Sequence, residues 1–151
     1  MSTNANLPAF RAPTALERFF NRAFGFLVWL GLGLRHNYLL QVRGRKTGNV
    51  YSTPVNLLEF QDKRFLVAPR GRTQWVRNAE SVGEITLKRG STRLSFRLRP
   101  IPDGDKLEIL KAYLDGFAGT VQRYFPISAG SPPQAFRDIA GNYPVFELLP
   151  P

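Results

Sequence analysis

The sequence predicts an α+β chain built on a small antiparallel barrel, closed or split, of about six mostly antiparallel strands with a few short helices. Three observations carry this expectation. Between Tyr38 and Leu149 the chain holds short runs rich in β-branched and aromatic residues, bounded by Gly, Pro, Asn or Asp. Several of these runs alternate apolar with charged residues, as a strand with one wet face does. A sustained helical period occurs only near residues 15–30 and 105–117. With 151 residues the chain is expected to form one domain, with 1–34 as an N-terminal arm and helix and 35–151 as the barrel.

Residues 1–13 are polar and carry two prolines, Pro8 and Pro13, so they read as an irregular start. Thr14 with Glu17 forms a capping box for a helix running to Leu30. Leu16, Phe19, Phe20, Ala23, Phe24, Leu27 and Val28 recur at three- and four-residue steps, with Arg18, Asn21 and Arg22 opposite. Such a helix packs on the barrel or lies on a membrane surface. The longest apolar stretch, Phe24–Leu34, has eleven residues including three glycines and is too short to span a bilayer. No secretory signal is evident at the start, so a cytoplasmic location is expected, with peripheral contact at the inner membrane face as an extension.

Strands follow at Tyr38–Arg43, Val50–Phe60 and Arg64–Ala68, spaced as a hairpin meander. Pro54 inside the second run implies an edge strand or a bulge. Thr73 is placed to cap a short helix from Gln74 to about Ser81, stopped by Gly83. Glu84–Lys88 and Thr92–Leu98 flank Arg89-Gly90-Ser91 as a hairpin. Asp105 is placed to cap a helix reaching Phe117. Gln134–Ala140 reads as a short helix and Tyr143–Leu149 as a last strand.

Composition excludes several chemistries. There are no cysteines, hence no disulfide, thiolate nucleophile or Cys-ligated metal. The one histidine, His36, cannot build a cluster, and the 11 acids show no ligand spacing, so no metal is expected. Net charge is +10, from 21 Lys and Arg against 11 Asp and Glu, which favours an anionic partner. The cations recur as Arg43/Arg45/Lys46, Lys63/Arg64, Arg70/Arg72/Arg77 and Lys88/Arg89 with Arg93/Arg97/Arg99. That spread suits a folded groove, and no signature of a specific nucleic-acid module accompanies it.

Three segments have the chemistry of an anion site. In Val42-Arg43-Gly44-Arg45-Lys46-Thr47-Gly48 the glycines permit close backbone approach, Arg45 offers a planar fork, Lys46 a point charge and Thr47 a hydroxyl. The same pattern also serves as a solvated hairpin turn. In Ser52-Thr53-Pro54-Val55-Asn56 the proline frees neighbouring backbone groups for a ligand edge, or marks an ordinary bulge. In Ala68-Pro69-Arg70-Gly71-Arg72-Thr73-Gln74-Trp75-Val76-Arg77-Asn78 a basic loop enters a helix N-terminus, which favours anions. Trp75 there either packs in the core or walls a planar ring.

Gly44-Arg45-Lys46-Thr47-Gly48, Thr53-Pro54-Val55, Arg64-Phe65-Leu66-Val67-Ala68, Trp75-Val76-Arg77-Asn78, Gly90 between two strands, and Tyr143-Pro144-Val145-Phe146-Glu147-Leu148 occur in this order. The series resembles the deazaflavin-dependent nitroreductase family over about Tyr38 to Leu149. That resemblance implies a flavin-reductase-like split β-barrel using coenzyme F420. It implies that Arg45, Lys46 and Thr47, in a loop with Arg43, Gly44 and Gly48, hold the phosphate and acidic tail. Thr53, Pro54, Val55 and Asn56 are then near the deazaflavin ring. Ala68, Pro69, Arg70 and Gly71 with Trp75, Arg77 and Asn78 line the cofactor.

A deazaflavin transfers a hydride, so no Ser/His/Asp constellation is required. The expected activity is F420H2-dependent reduction of a small-molecule acceptor: a quinone, nitro compound or activated enone. The alternatives are an FMN-binding reductase of the same fold and a non-catalytic flavin- or anion-binding module. The catalytic residues are unassigned. Tyr51, Tyr113, Tyr124 and solvent are the candidate proton donors, and a homodimer fits the fold.

Overall fold

A computed structural model describes residues 36–151. The expected helix at 15–30, and its packing partner, lie outside the described residues. Within them the chain forms one seven-stranded sheet, every neighbouring pair antiparallel. In chain order the strands are β1 (Asn37–Arg43), β2 (Val50–Asn56), β3 (Leu58–Phe60), β4 (Lys63–Val67), β5 (Glu84–Arg89), β6 (Thr92–Pro100) and β7 (Val145–Leu149). Two α-helices interrupt them, α1 (Gln74–Val82) and α2 (Leu107–Val121).

The spatial order β2-β1-β5-β6-β7-β4-β3 puts β2 and β3 at opposite edges of the sheet. Yet only Leu57 separates them in the chain. The sheet must therefore curl until its two edges meet at that residue, which makes it a split barrel rather than an open sheet. Leu57 N–H donates to the His36 carbonyl, 2.8 Å away, and its side chain is buried in the barrel core. The sequence runs 50–60 together as one strand. The structure divides it at Leu57, which is why seven strands stand where six are expected. Pro54 sits in unbroken register opposite Leu39 on the edge strand, so it is an edge proline and not a bulge.

The strand patterns follow from which faces are covered. The barrel interior gathers Leu40, Val42, Leu57, Leu66, Ile85, Leu87, Phe96 and Leu148. A second core lies under α2, where Leu58, Phe65, Val67, Ile109, Leu110, Tyr113, Leu114, Tyr143 and Val145 meet. In β4, Leu66 enters the first core while Phe65 and Val67 enter the second. Both faces of the second half of β4 are covered, and Phe65-Leu66-Val67 is accordingly a continuous apolar run after the exposed Lys63 and Arg64. The β5–β6 hairpin has one wet face, with Lys88 opposite Arg93 and Glu84 opposite Arg97. Buried Glu147 on β7 accepts from Arg99 Nε (3.0 Å) and Nη2 (2.6 Å) on β6, so its charge is paired.

The helices depart from expectation at their ends. Thr73 has extended geometry at the start of α1 but its side chain makes no capping hydrogen bond. Asp105 belongs to a 3₁₀ turn (Asp103–Asp105), and α2 begins two residues later. Lys106 explains the shift. It is buried, with Nζ bound to Asp103 Oδ1 (2.7 Å) and the Ala140 carbonyl (3.2 Å), which holds the turn to the chain's last loop. The helix continues past Phe117, where the backbone leaves helical values, to Val121. Residues 134–140 form no α-helix; 3₁₀ turns at Pro133–Phe136 and Ala140–Asn142 take their place. His36 packs against Phe117 with ring centroids 4.6 Å apart and the planes tilted by 43°.

Candidate functional site

The β1–β2 hairpin sets the length of the site. Its register runs from Asn37 opposite Asn56 to Arg43 opposite Val50. Six steps of about 3.4 Å put these ends roughly 20 Å apart. The basic loop lies at one end and the two asparagines at the other. A cavity of about 900 Å³ takes its walls from both ends, from the segment after β4 and from α1 and α2.

At the basic end the loop is preformed. Gly44 N–H donates to the Asn49 carbonyl (2.7 Å) and Gly48 N–H to the Gly44 carbonyl (3.0 Å). Gly44 is required by space: a Cβ there would stand 2.6 Å from the Tyr51 ring. Gly48 is required by conformation, with φ +79°. Asn78 of α1, itself buried, fixes the loop from across the cavity. Its Oδ1 accepts from Arg45 N–H (3.1 Å) and from Arg45 Nη1 (2.7 Å), while Gln74 Oε1 accepts a further bond from Nη1 (3.1 Å). Thr47 Oγ1 accepts from Asn49 N–H (3.1 Å) and lies 3.3 Å from the Tyr51 hydroxyl. Lys46 is exposed and makes no hydrogen bond or ion pair with the described residues.

Of the residues expected at the site, Gly44, Arg45, Lys46, Thr47, Thr53, Pro54, Val55, Asn56, Ala68, Pro69, Arg70, Gly71, Trp75 and Asn78 line this one cavity. Arg43, Gly48 and Arg77 do not. Arg43 Nη1 donates to the Gly48 carbonyl (2.9 Å), bracing the loop from behind. Arg77 Nε donates to the Arg72 carbonyl (3.2 Å), so it closes the turn before α1. Arg72 pairs with Glu80 away from the cavity.

The electrostatics favour an anion. Arg45, Lys46 and Arg70 line the cavity and no carboxylate does so among the described residues. The α1 N-terminus adds its dipole at the same end. The Thr73 hydroxyl is buried there without a partner, a donor that phosphate oxygens would satisfy. The polar groups present thus fit a phosphate-bearing cofactor.

Sequence reasoning missed Asn37, and it gave Thr73 only a capping role. Asn37 lines the far end, donating from Nδ2 to Asn56 Oδ1 (3.1 Å). It becomes visible only through strand register. Tyr51, Tyr113 and Tyr124 all line the cavity. Burial pushes the Tyr113 phenol well above the ordinary tyrosine range, partly offset by a hydrogen bond from Asn56.

A curled antiparallel sheet with a cation-lined, aromatic-walled cavity along its edge hairpin defines the split β-barrel class of proteins. A family model described as F420H(2)-dependent quinone reductase matches residues 21–124, more than half of the chain. The chain belongs to that family: it is an F420-dependent oxidoreductase, and its cofactor is coenzyme F420. Solved structures share the fold. An F420-H2 dependent reductase, FDR-A, is 17% identical over 76% of this chain and 94% of its own, with a TM-score of 0.50. A structure described as a domain-swapped dimer is 16% identical over 88% and 92%, with a TM-score of 0.54. HutZ, the heme storage protein of Vibrio cholerae, is 12% identical over 78% and 83%, with a TM-score of 0.54. No curated protein sequence matches the chain.

Proposed function

We propose that this protein reduces a quinone with F420H2, holding the cofactor's anionic end at Arg45, Lys46 and Thr47 and its ring along Thr53–Asn56, Ala68–Gly71 and Trp75. The observation that carries this reading is the polarity of the cavity: Arg45, Lys46 and a helix N-terminus at one end, Tyr113, Tyr124 and two asparagines toward the other, and no lining carboxylate among the described residues. When bound, F420H2 supplies the hydride. The chain's own residues orient it, exclude water and receive the acceptor. Pro54, Val55, Ala68, Trp75 and Val121 among the lining residues give the cavity apolar walls that suit a planar ring such as a quinone.

Anaerobic mixing of the purified protein and F420H2 with quinone, nitroaromatic and enone panels tests this. Quinones are expected to be consumed fastest, with one F420H2 lost for each quinone reduced. Turnover of nitro compounds or enones with no quinone turnover would overturn it.

Val50 and Tyr51 are exposed beside the basic loop. No helix among the described residues is long and apolar enough to cross a membrane. We extend the reading to peripheral membrane contact through the helix at 15–30, and to a homodimer, as a structural relative is described as a domain-swapped dimer. Sedimentation with and without anionic liposomes is expected to show a dimer that pellets with lipid. A monomer that stays in the supernatant would remove both extensions.

A further inference from the structure

Three tyrosines line the cavity, and their surroundings separate them. Tyr51 lies at the basic end, its hydroxyl 3.3 Å from Thr47 Oγ1. Tyr124 is half-buried, and its hydroxyl accepts from Arg123 Nη2 (2.8 Å), whose guanidinium also lies over its ring. Tyr113 is buried at 2% exposure, on α2, beside Asn56 at the end of β2 away from the basic loop.

The hydrogen bonds around Tyr113 have a direction. Asn37 Nδ2 donates to Asn56 Oδ1 (3.1 Å), so the Asn56 carbonyl oxygen already has a donor. With its oxygen engaged by Asn37, Asn56 has its amide N–H₂ left for the Tyr113 phenol oxygen beside it. A tyrosine hydroxyl holds one proton to donate. With the phenol oxygen turned to Asn56, that proton is left to face the cavity that Tyr113 lines. A second observation marks the same end as incomplete. Asn37 Oδ1, in a residue 4% exposed that lines the cavity, is buried without a partner.

We infer that Tyr113 donates its hydroxyl proton in a hydrogen bond to the carbonyl oxygen of the hydride acceptor, with Asn56 and Asn37 as positioning residues that keep that donor turned into the cavity. The inference rests on the quinone-reductase reading above. Hydride addition moves a carbonyl electron pair onto the quinone oxygen; the cofactor is oxidised, the quinone is reduced, and solvent supplies the one proton that completes the hydroquinone. A fixed donor at that oxygen acts where negative charge develops. Burial keeps the Tyr113 proton in place, so the residue works as a neutral hydrogen-bond donor and not as the net proton source. The acceptor class is therefore one that carries a carbonyl oxygen where the charge develops, which separates quinones from compounds with no such oxygen.

The test uses Tyr113→Phe, Asn37→Ala and the double variant in the full chain, with thermal melting to confirm folding. F420 affinity, read by fluorescence, is expected to stay within about twofold, because the basic end is untouched. Calorimetric binding of hydroquinone to the oxidised F420 complex is expected to weaken about 10-fold in Tyr113→Phe, and kcat/KM for quinone to fall about 20-fold. Asn37→Ala is expected to lose about half as much on a logarithmic scale, and the double variant no more than Tyr113→Phe. Additive losses would assign Asn37 a separate structural role and overturn the network. Unchanged hydroquinone affinity in Tyr113→Phe, or weakened F420 binding with quinone kinetics intact, would overturn the donor role. Wild-type protein that binds F420 but reduces no quinone would instead refute the function proposed above.

Discussion

Replacing Arg45 and Lys46 together by alanine will weaken F420 binding several hundred-fold while leaving the affinity for the tail-less deazaflavin chromophore nearly unchanged. A hydrogen bond to a charged group contributes about 1.5–3 kcal/mol, and each 1.4 kcal/mol is about tenfold in affinity. Two such contacts therefore supply roughly two to four powers of ten. The structure adds a reason to expect more than the lower bound of that range. Arg45 is already aligned by Asn78 and Gln74, so little side-chain freedom remains to be lost on binding. Lys46 carries its charge without an internal partner among the described residues. Fluorescence titration of both ligands against wild type and variant measures the difference. Equal weakening of both would place the loop against the ring instead of the tail, and unchanged F420 affinity would remove it from the site.

Asn78→Asp separates the position of Arg45 from the charge around it. The aspartate can still accept from Arg45 N–H and Nη1, and the charge-assisted bond is stronger than the neutral one. Thermal stability is therefore expected to hold or rise. The new carboxylate, however, enters a cavity with no other lining carboxylate among the described residues and offsets the Arg45 charge. Two like charges about 5 Å apart repel by roughly 3 kcal/mol near a protein surface, less salt screening. F420 affinity is expected to fall about 50-fold at low ionic strength and to recover partly with salt. A variant that melts earlier and binds F420 normally would contradict both halves of the argument.

The parts of this molecule legible in the sequence are those fixed by local chemistry. Gly44 and Gly48 announce a tight loop, Gly83 ends α1, and Pro54 marks an edge strand; each acts through its own backbone. The basic loop, the Thr-Pro strand and the Trp75 helix are separately ambiguous, but their order resembles a known family, and the structure gathers most of them around one cavity. What stayed illegible depends on distant partners. Leu57 looks like any strand residue until the curl of the sheet makes it the join between two edges. Asn37 has no motif, and its importance comes from standing opposite Asn56. Arg77 and Arg43 read as further cations for the ligand, whereas their hydrogen bonds turn them to the backbone behind the loop. Asp105 looks like a cap, but the burial of Lys106 moves the helix start. The choice among three tyrosines required knowing which hydroxyl is buried beside the paired asparagines at the far end of the cavity.

The meeting of the sheet's edges at Leu57 has a consequence for the loaded protein. Strands β2 and β4 are far apart in the ladder, and no backbone pairing joins them, yet both border the cavity. A cofactor held in that cavity would touch both sides of the slit of the barrel, as a strut joins the ends of a cut ring. Opening β2 away from the rest would then cost the ligand contacts as well as the β1 ladder. Occupancy and fold integrity become one thermodynamic quantity, growing as the logarithm of cofactor concentration over its dissociation constant. In a cell the supply of F420 would thus set how much of this protein persists, besides how fast it works.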